Sequence, residues 1–260
     1  MNLQPEFHFR RFEIKYLTDE DTAENIKKDL MPYLKHDPFA DQEAKEYEVR
    51  SVYYDSPGYF YYQETLDGYN SRKKIRVRCY RTGGQIKDNA FLEIKRKEGV
   101  IVVKDRIRLN LEELRQFQKT DTLLDSGRSF SSKEENFIKE YEFERVIRAL
   151  SPKILVTYTR EPYAGVYDEG LRVTFDRNIK AAQNDNLFYD GGDMERIHPG
   201  EVVVEIKFRR GLPVYMGETI KKFSMIRVPF SKYRKGVEET RAIPGSFPGI
   251  TRGFETVSYI

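Results

Sequence analysis

Several residue types that would point to a particular class of protein are rare or missing in this 260-residue sequence. Cys79 is the only cysteine, so an internal disulfide is excluded and a zinc site built on paired cysteines is not expected. No apolar run approaches the length of a membrane span, and the first residues lack the apolar core of a signal peptide. Glycine-rich phosphate loops and the HExxH zinc motif are also missing. These absences favour a cytoplasmic globular protein with no transmembrane segment, outside the standard nucleotide-binding folds.

The overall composition is that of an ordinary folded chain, with 39% hydrophobic and 33% charged residues. No linker rich in proline, glycine or serine divides the sequence, and neither an internal repeat nor a low-complexity tract is present. We therefore expect one domain over residues 1–260, with an irregular C-terminal extension from about residue 244.

What the sequence does contain is an alternation of charged and apolar residues in six separate segments. In KIRVR, Arg76 and Arg78 share one face while Ile75 and Val77 share the other. Because side chains of a strand point alternately to opposite faces, this pattern predicts a strand with one charged and one apolar face. The same pattern occurs in RFEIKY, FLEIKRK, IVVKDRIRL, LRVTFD and VVVEIKFR.

The charged faces of these segments carry a strong excess of positive charge. For a single strand, a solvated face is the ordinary explanation, but like-charged neighbours repel, so six such faces together favour a surface that binds an anion. The helix-like stretches are mixed or acidic and the net charge is only +3, which argues against a nucleic-acid binder. The faces hold twelve basic residues (Arg11, Lys15, Arg76, Arg78, Lys95, Lys97, Lys104, Arg106, Arg108, Arg172, Lys207 and Arg209) and four acidic ones (Glu13, Glu93, Asp176 and Glu205).

Eight strands of similar length and four helices are predicted, which gives an α+β fold dominated by one antiparallel sheet. If the sheet stays open, its charged face meets solvent. If it closes into a barrel, the charged face lines a tunnel and the apolar face packs outward against the helices, which is the arrangement we expect. The strands are predicted near 7–16, 46–55, 72–81, 89–98, 100–109, 153–162, 170–177 and 201–209, and the helices near 19–34, 111–118, 133–150 and 216–225.

Seven segments, taken together and in order, resemble the VTC-type polyphosphate polymerase domain. That domain is a branch of the triphosphate tunnel metalloenzymes and is related to CYTH domains. The resemblance extends from Phe9 to Tyr233 and implies an eight-stranded β-barrel tunnel. Arg11 replaces the first glutamate of the ExExK motif that opens the CYTH branch, which favours the VTC branch. The segments are RFEIKY, RSVYYDS, KIRVRCY, FLEIKRK, LRVTFDR, VVVEIKF and PFSKYRKG.

The resemblance also implies roles for individual residues. A divalent ion, Mn²⁺ or Mg²⁺, is implied on Glu205, with Glu93 or Glu13 as a second carboxylate. Pro229 stands where the polymerase pattern leads us to expect a further lysine. The implied phosphate-binding residues are Lys15, Arg76, Arg78, Lys95, Lys104, Arg172, Lys207, Ser231 and Lys232, and the implied catalytic residues are Arg76, Arg78, Lys95, Arg172 and Glu205.

The implied reaction is metal-dependent phosphoryl transfer, with ATP as donor, a growing polyphosphate chain as acceptor and ADP as product. The same residues would serve a tripolyphosphatase or a nucleoside triphosphatase, in which water is the acceptor. A third hypothesis is a protein without catalytic activity that binds polyphosphate or inositol phosphates. The resemblance leaves room for a membrane partner protein that receives the product.

Overall fold

The computed structural model describes residues 12–37, 45–87, 89–99, 101–124, 127–209 and 211–244. Within them the chain forms eleven strands and six helices. The predicted strand residues 7–11, which include Arg11, and the extension beyond residue 244 lie outside the described residues. In chain order the elements are β1 (Phe12–Asp19), α1 (Glu20–Leu30), β2 (Leu34–His36), β3 (Tyr47–Asp55), α2 (Phe60–Leu66), β4 (Ser71–Thr82), β5 (Gln85–Ile86), β6 (Ala90–Glu98), β7 (Ile101–Leu109), α3 (Leu111–Thr120), α4 (Ser132–Ile147), β8 (Ser151–Gly165), β9 (Arg172–Ala182), β10 (Glu195–Arg196), β11 (Glu201–Phe208), α5 (Val214–Lys222) and α6 (Lys232–Glu239).

Eight long strands form a single antiparallel sheet in the order β1-β11-β9-β8-β3-β4-β6-β7. The three short strands pair at its borders, β2 with β8, β5 with β4 and β10 with β9. The sheet curls into a half-barrel: Lys95 on β6, near one end of the strand order, reaches Glu13 on β1 at the other end. The predicted fold of eight antiparallel strands is confirmed, and five of the six described helices pack on the outside, as predicted.

The apolar stripes face outward and pack against helices, as the alternation predicts. One buried cluster joins the outer face of β3, β4, β6 and β7 to α2, α3 and α4. A second cluster joins the outer face of β1, β9 and β11 to α1 and α5. Because both clusters lie on the convex side, the charged stripes are left on the concave side of the sheet.

The last helix, α6, packs on the concave face, under strands β3, β8 and β9. Its Tyr233 and Val237 belong to a third buried cluster, together with Ile154 and Val156 of β8. Gly236 permits this close approach, since a Cβ atom there would lie 2.9 Å from the Ile154 side chain. Part of the concave face is therefore filled by hydrocarbon, and the remainder is charged.

Three of the predicted helix ends are wrong, including that of the helix expected near 216–225, which spans Val214–Lys222, and two helices were not predicted. The helix expected over 19–34 begins after its N-cap Asp19 but ends at Leu30, because Pro32 follows and has no backbone N–H to continue the helical hydrogen bonds. The helix expected to reach residue 150 ends at Ile147, before Ala149 adopts a left-handed backbone conformation. The short helices α2 and α6 lie in stretches that had no predicted secondary structure.

Candidate functional site

Charged side chains from seven strands and from α6 converge on the concave face. Cations outnumber carboxylates by five, and most of these groups are at least partly buried. Burial weakens solvent screening, so their interactions are stronger than those of exposed charges. The cations are Lys15, Lys74, Arg76, Arg78, Lys95, Lys104, Arg160, Lys207 and Lys232, and the carboxylates are Glu13, Glu93, Asp176 and Glu205.

Glu93 on β6 is the centre of one group of charges. Its carboxylate is 1% exposed and accepts a 2.7 Å hydrogen bond from Arg76 Nε. Lys104 on β7 forms an ion pair with it, and Arg78 Nε lies 4.0 Å away. Burial alone would raise the pKa of Glu93, but Arg76, Arg78 and Lys104 hold that pKa far below its usual range. Glu93 is thus ionised and already surrounded by cations.

Glu13 and Glu205 form a second group, in which two carboxyl groups are direct neighbours. β1 and β11 pair so that Lys15 is opposite Glu205 and Glu13 is opposite Lys207. Lys15 Nζ lies 3.2 Å from Glu13 and 3.7 Å from Glu205, Lys207 Nζ lies 2.9 Å from Glu205, and Lys95 Nζ lies 3.3 Å from Glu13. Burial opposes ionisation, yet these lysines keep the pKa of both carboxyl groups below its ordinary value.

Asp176 on β9 links the sheet to α6. Its carboxylate is fully buried and accepts two hydrogen bonds from Arg160 on β8, at 2.6 and 2.7 Å. Lys232 at the start of α6 donates a third, at 2.5 Å. Arg160 also lies 3.3 Å from Glu205, which connects Asp176 to the group of Glu13 and Glu205. Although burial opposes it, the attraction of Arg160 and Lys232 lowers the pKa of Asp176 to about 2.

Ser231 and Lys74 are in contact at the N-terminus of α6. Ser231 is the N-cap of this helix and accepts hydrogen bonds from the Arg234 backbone N–H at 3.3 Å and from Lys74 Nζ at 2.8 Å. The preceding segment runs along the free edge of β1, where Lys15 Nζ donates to the Phe230 carbonyl at 2.9 Å. The chain before α6 is thereby fixed between β1 and β4.

Arg172 lies apart from these groups. It is the first residue of β9, opposite Lys207, and its guanidinium donates to the backbone carbonyls of Glu169 and Leu171. Its Nε lies 3.4 Å from Asp37. Arg172 is therefore at the rim of the concave face, while the other residues that the sequence implied for the site are brought together inside it.

Three residues of the site had no role assigned from the sequence. Lys74 has the same parity as Arg76 on β4, so the alternation itself could have found it. Asp176 was placed on a charged face but given no role. Arg160 lies in TYTREPY, where polar and aromatic residues occur on both faces and no charged stripe is visible.

The carboxylates on the concave face were tested as ligands for a divalent ion. Mg²⁺ is commonly bound by one or two carboxylates together with substrate phosphates and water. Glu13 and Glu205, adjacent and ionised, fit this pattern, whereas the oxygens of Glu93 are engaged by three cations. Within the part of the chain that the structure describes, no cluster of three or more His, Cys, Asp or Glu side chains suits a metal ion.

The curled antiparallel sheet with its cationic concave face has the architecture that the sequence resemblance implies. The family model described as the VTC domain matches residues 10–241. The chain belongs to the VTC domain family, as the sequence resemblance implied. A search of curated proteins found no match.

Solved structures of similar shape include two that share little sequence with this chain. A candidate adenylate cyclase from Bacillus halodurans is 14% identical, with 85% of this chain and 94% of that chain covered and a TM-score of 0.49. The Mimivirus capping enzyme triphosphatase is 10% identical, with 83% and 89% covered and a TM-score of 0.34. Both TM-scores are below 0.5, so neither similarity carries a function over to this chain.

Within the described ranges, no helix is both long enough and apolar enough to cross a bilayer.

Proposed function

We propose that this protein catalyses metal-dependent phosphoryl transfer from a triphosphate bound in the half-barrel, and that the reaction is the synthesis of polyphosphate from ATP. The observation that carries the proposal is the excess of five positive charges on a partly buried concave face, beside an adjacent carboxylate pair. Uncompensated cations in such a place are stabilised by a polyanion, and a triphosphate supplies several negative charges in a row.

In phosphoryl transfer the protein itself need not form covalent bonds to the substrate. The phosphates must be held in line, and the charge that develops on their oxygens must be neutralised. Arg76 and Arg78 offer planar pairs of N–H donors that match phosphate oxygens, and Lys95, Lys104 and Lys207 offer mobile point charges. Each of these residues is an implied phosphate ligand, and each side chain stands on the concave face.

The ion pairs of the concave face are suited to exchange. Lys15, Lys95 and Lys207 now neutralise Glu13 and Glu205. When phosphates enter, these ammonium groups gain phosphate oxygens as partners, and the two carboxylates become available to a cation. Substrate and metal are thus expected to bind cooperatively, because the phosphates draw the lysines away from the carboxylates and the metal ion replaces the lysines there.

Glu13 and Glu205 would hold the divalent ion, Mn²⁺ or Mg²⁺. When bound, such an ion neutralises negative charge on the phosphate oxygens of the substrate. Glu93 has another part in this scheme: it keeps Arg76, Arg78 and Lys104 in position for the phosphates.

The same residues would serve a tripolyphosphatase or nucleoside triphosphatase, in which water is the acceptor instead of phosphate.

The decisive experiment is incubation with ATP and Mn²⁺ or Mg²⁺, followed by sizing of the products on a gel. Chains much longer than three phosphates support the polymerase, and free phosphate alone supports the hydrolase. Tight triphosphate binding without turnover would point to a binding protein.

The control for this assay is a matched pair of variants. Glu205→Gln removes a carboxylate of the proposed metal site, and Glu135→Gln changes an exposed glutamate on α4. The first variant should lose turnover, and the second should keep it. Action in the cytoplasm stays a prediction from the sequence.

A further inference from the structure

Lys74 belongs to a row of three lysines that crosses the concave face. β4 and β6 pair so that Lys74 is opposite Lys95, and β6 and β7 pair so that Lys95 is opposite Lys104. Like charges directly opposite each other on neighbouring strands destabilise a sheet. The row therefore needs negative charge from elsewhere.

Two of these lysines have a carboxylate partner, and Lys74 does not. Lys95 lies 3.3 Å from Glu13, and Lys104 pairs with Glu93. The only hydrogen bond of the Lys74 ammonium to another described residue goes to Ser231 Oγ, at 2.8 Å, and none of the described carboxylates lies within ion-pair distance of it. A partly buried ammonium held by one hydroxyl has two unused N–H donors.

The surroundings of Lys74 oppose its charge from every side. Burial is the largest cause, and Lys95 on β6, Lys15 on β1, and Arg72 and Arg76 on β4 add repulsion, which together bring the pKa of Lys74 well below its usual value. An anion at this point would remove the repulsion and restore the charged form.

Ser231 offers the matching group. Its oxygen accepts from Lys74 and from the Arg234 N–H, so the hydroxyl proton is free to be donated to a third group. Two residues earlier, Pro229 carries no charge at a position where the sequence pattern leads us to expect a lysine. Lys74, on β4, brings an ammonium group to this segment before α6.

We propose that Lys74, beside the implied phosphate ligand Ser231, is a further binding residue for one phosphoryl group of the substrate. This inference rests on the proposed function, since it assigns a further binding residue to the same concave face. The arrangement that carries it is a cation from β4 beside the N-terminus of α6.

The test compares two adjacent lysines that point to opposite faces of β4. Lys74→Met removes the concave ammonium, and Lys73→Met removes one that pairs on the outer side with Glu144 at 2.6 Å and Glu140 at 3.2 Å. Tripolyphosphate binding is measured by calorimetry without metal, and the melting temperature is measured without ligand. Both variants keep the full chain.

Opposite results are expected for the two variants. Lys74→Met should weaken tripolyphosphate binding about tenfold or more, because a charge-assisted hydrogen bond is lost. It should not lower the melting temperature, since it relieves repulsion. Lys73→Met should leave the affinity unchanged and lower the melting temperature, since it leaves buried Glu144 with fewer partners. Lys74→Arg, which keeps the charge, should restore most of the affinity.

The inference is overturned if Lys74→Met binds tripolyphosphate as tightly as the wild type, or if Lys73→Met weakens binding equally. Either result would leave the proposed function intact, because the wild-type protein still binds. Failure of the wild type itself to bind tripolyphosphate would instead overturn the proposed function, and the role of Lys74 with it.

Discussion

Lys95 on β6 and Glu13 on β1 are in contact across the opening of the half-barrel, with Nζ 3.3 Å from Oε2. Five strands separate β1 from β6 in the sheet order, so only a strong curl of the sheet can bring these two side chains together. The contact shows that the charged stripes converge on an enclosed space. A flat sheet would have carried the same residues on a solvated face.

Arg76 and Arg172 should differ in their effect on turnover. Arg76 is bound to Glu93 inside the concave face, so Arg76→Ala should lower the rate on the order of 10²-fold if the guanidinium stabilises the transition state. Arg172 lies at the rim on backbone carbonyls, and Arg172→Ala should cost less than about tenfold. Steady-state rates with ATP and Mn²⁺ test both. A severe loss in Arg172→Ala with a mild one in Arg76→Ala would place the reacting phosphates nearer the rim.

Asp176 should be a major contributor to stability. Asp176→Asn removes the buried carboxylate that Arg160 and Lys232 share and leaves Arg160 with its longer contact to Glu205, which should cost about 3 kcal/mol in the free energy of unfolding. Denaturant unfolding measures this cost. An unchanged midpoint would mean that the buried cations find other partners.

The stability that Asp176 contributes should depend on pH. Its pKa is about 2 in the folded protein, below the ordinary 3.8, so the folded state favours the charged form. The stabilisation should be complete above about pH 4 and should disappear as the pH falls towards 2. The difference in unfolding free energy between wild type and Asp176→Asn, measured at several pH values, reports this contribution directly. A difference that stays constant down to pH 2 would contradict the assignment.

Lys104 should make triphosphate binding sensitive to pH near neutrality. Burial is the main cause that lowers its pKa to about 7, and Arg78 and Arg76 add to the effect while Glu93 opposes it. A bound phosphate would favour the charged form, so the affinity for tripolyphosphate should fall as the pH rises from 7 to 8.5. Calorimetry at several pH values should show a shallower fall for Lys104→Met. Equal slopes would show that Lys104 does not titrate with binding.

Gly236 should be necessary for the close packing of α6 against the concave face. A Cβ atom there would lie 2.9 Å from the Ile154 side chain and 3.3 Å from Ala181, so Gly236→Ala should cost about 1–3 kcal/mol through overpacking. Gly217 in α5 is a matched control, because a Cβ atom there meets nothing within 4 Å, and Gly217→Ala should stabilise the protein by up to about 1 kcal/mol. Melting temperatures of the two variants should therefore move in opposite directions. If Gly236→Ala is as stable as Gly217→Ala, α6 is not tightly seated.

The strands and their charged faces could be predicted from the sequence because alternation is a local property of a strand. Arg76, Lys95, Lys104 and Glu205 could each be placed on a charged face by counting in twos. Which faces meet is a property of the curl, and no local pattern reports it. The contact between Lys95 and Glu13 needs the whole sheet.

The two helices that were not predicted illustrate what local patterns leave out. α2 has seven residues and begins after Tyr59, which is in a left-handed backbone conformation that few sequence patterns indicate. α6 has eight residues and is held by packing on the concave face and by the Asp176 ion pair of Lys232. Short helices gain most of their stability from tertiary contacts, so their sequences carry little helical signal.

The dependence of phosphoryl transfer on Glu205 and a divalent ion is tested by the turnover of ATP with and without the ion, measured in parallel with tripolyphosphate binding, for the wild type and Glu205→Gln. We expect turnover only in the wild type with Mn²⁺ or Mg²⁺ present. We also expect Glu205→Gln to bind tripolyphosphate, because Lys15, Lys207 and Arg160 are retained. Equal turnover with and without the ion, or full activity in Glu205→Gln, would show that the carboxylate pair and its metal ion do not carry the reaction.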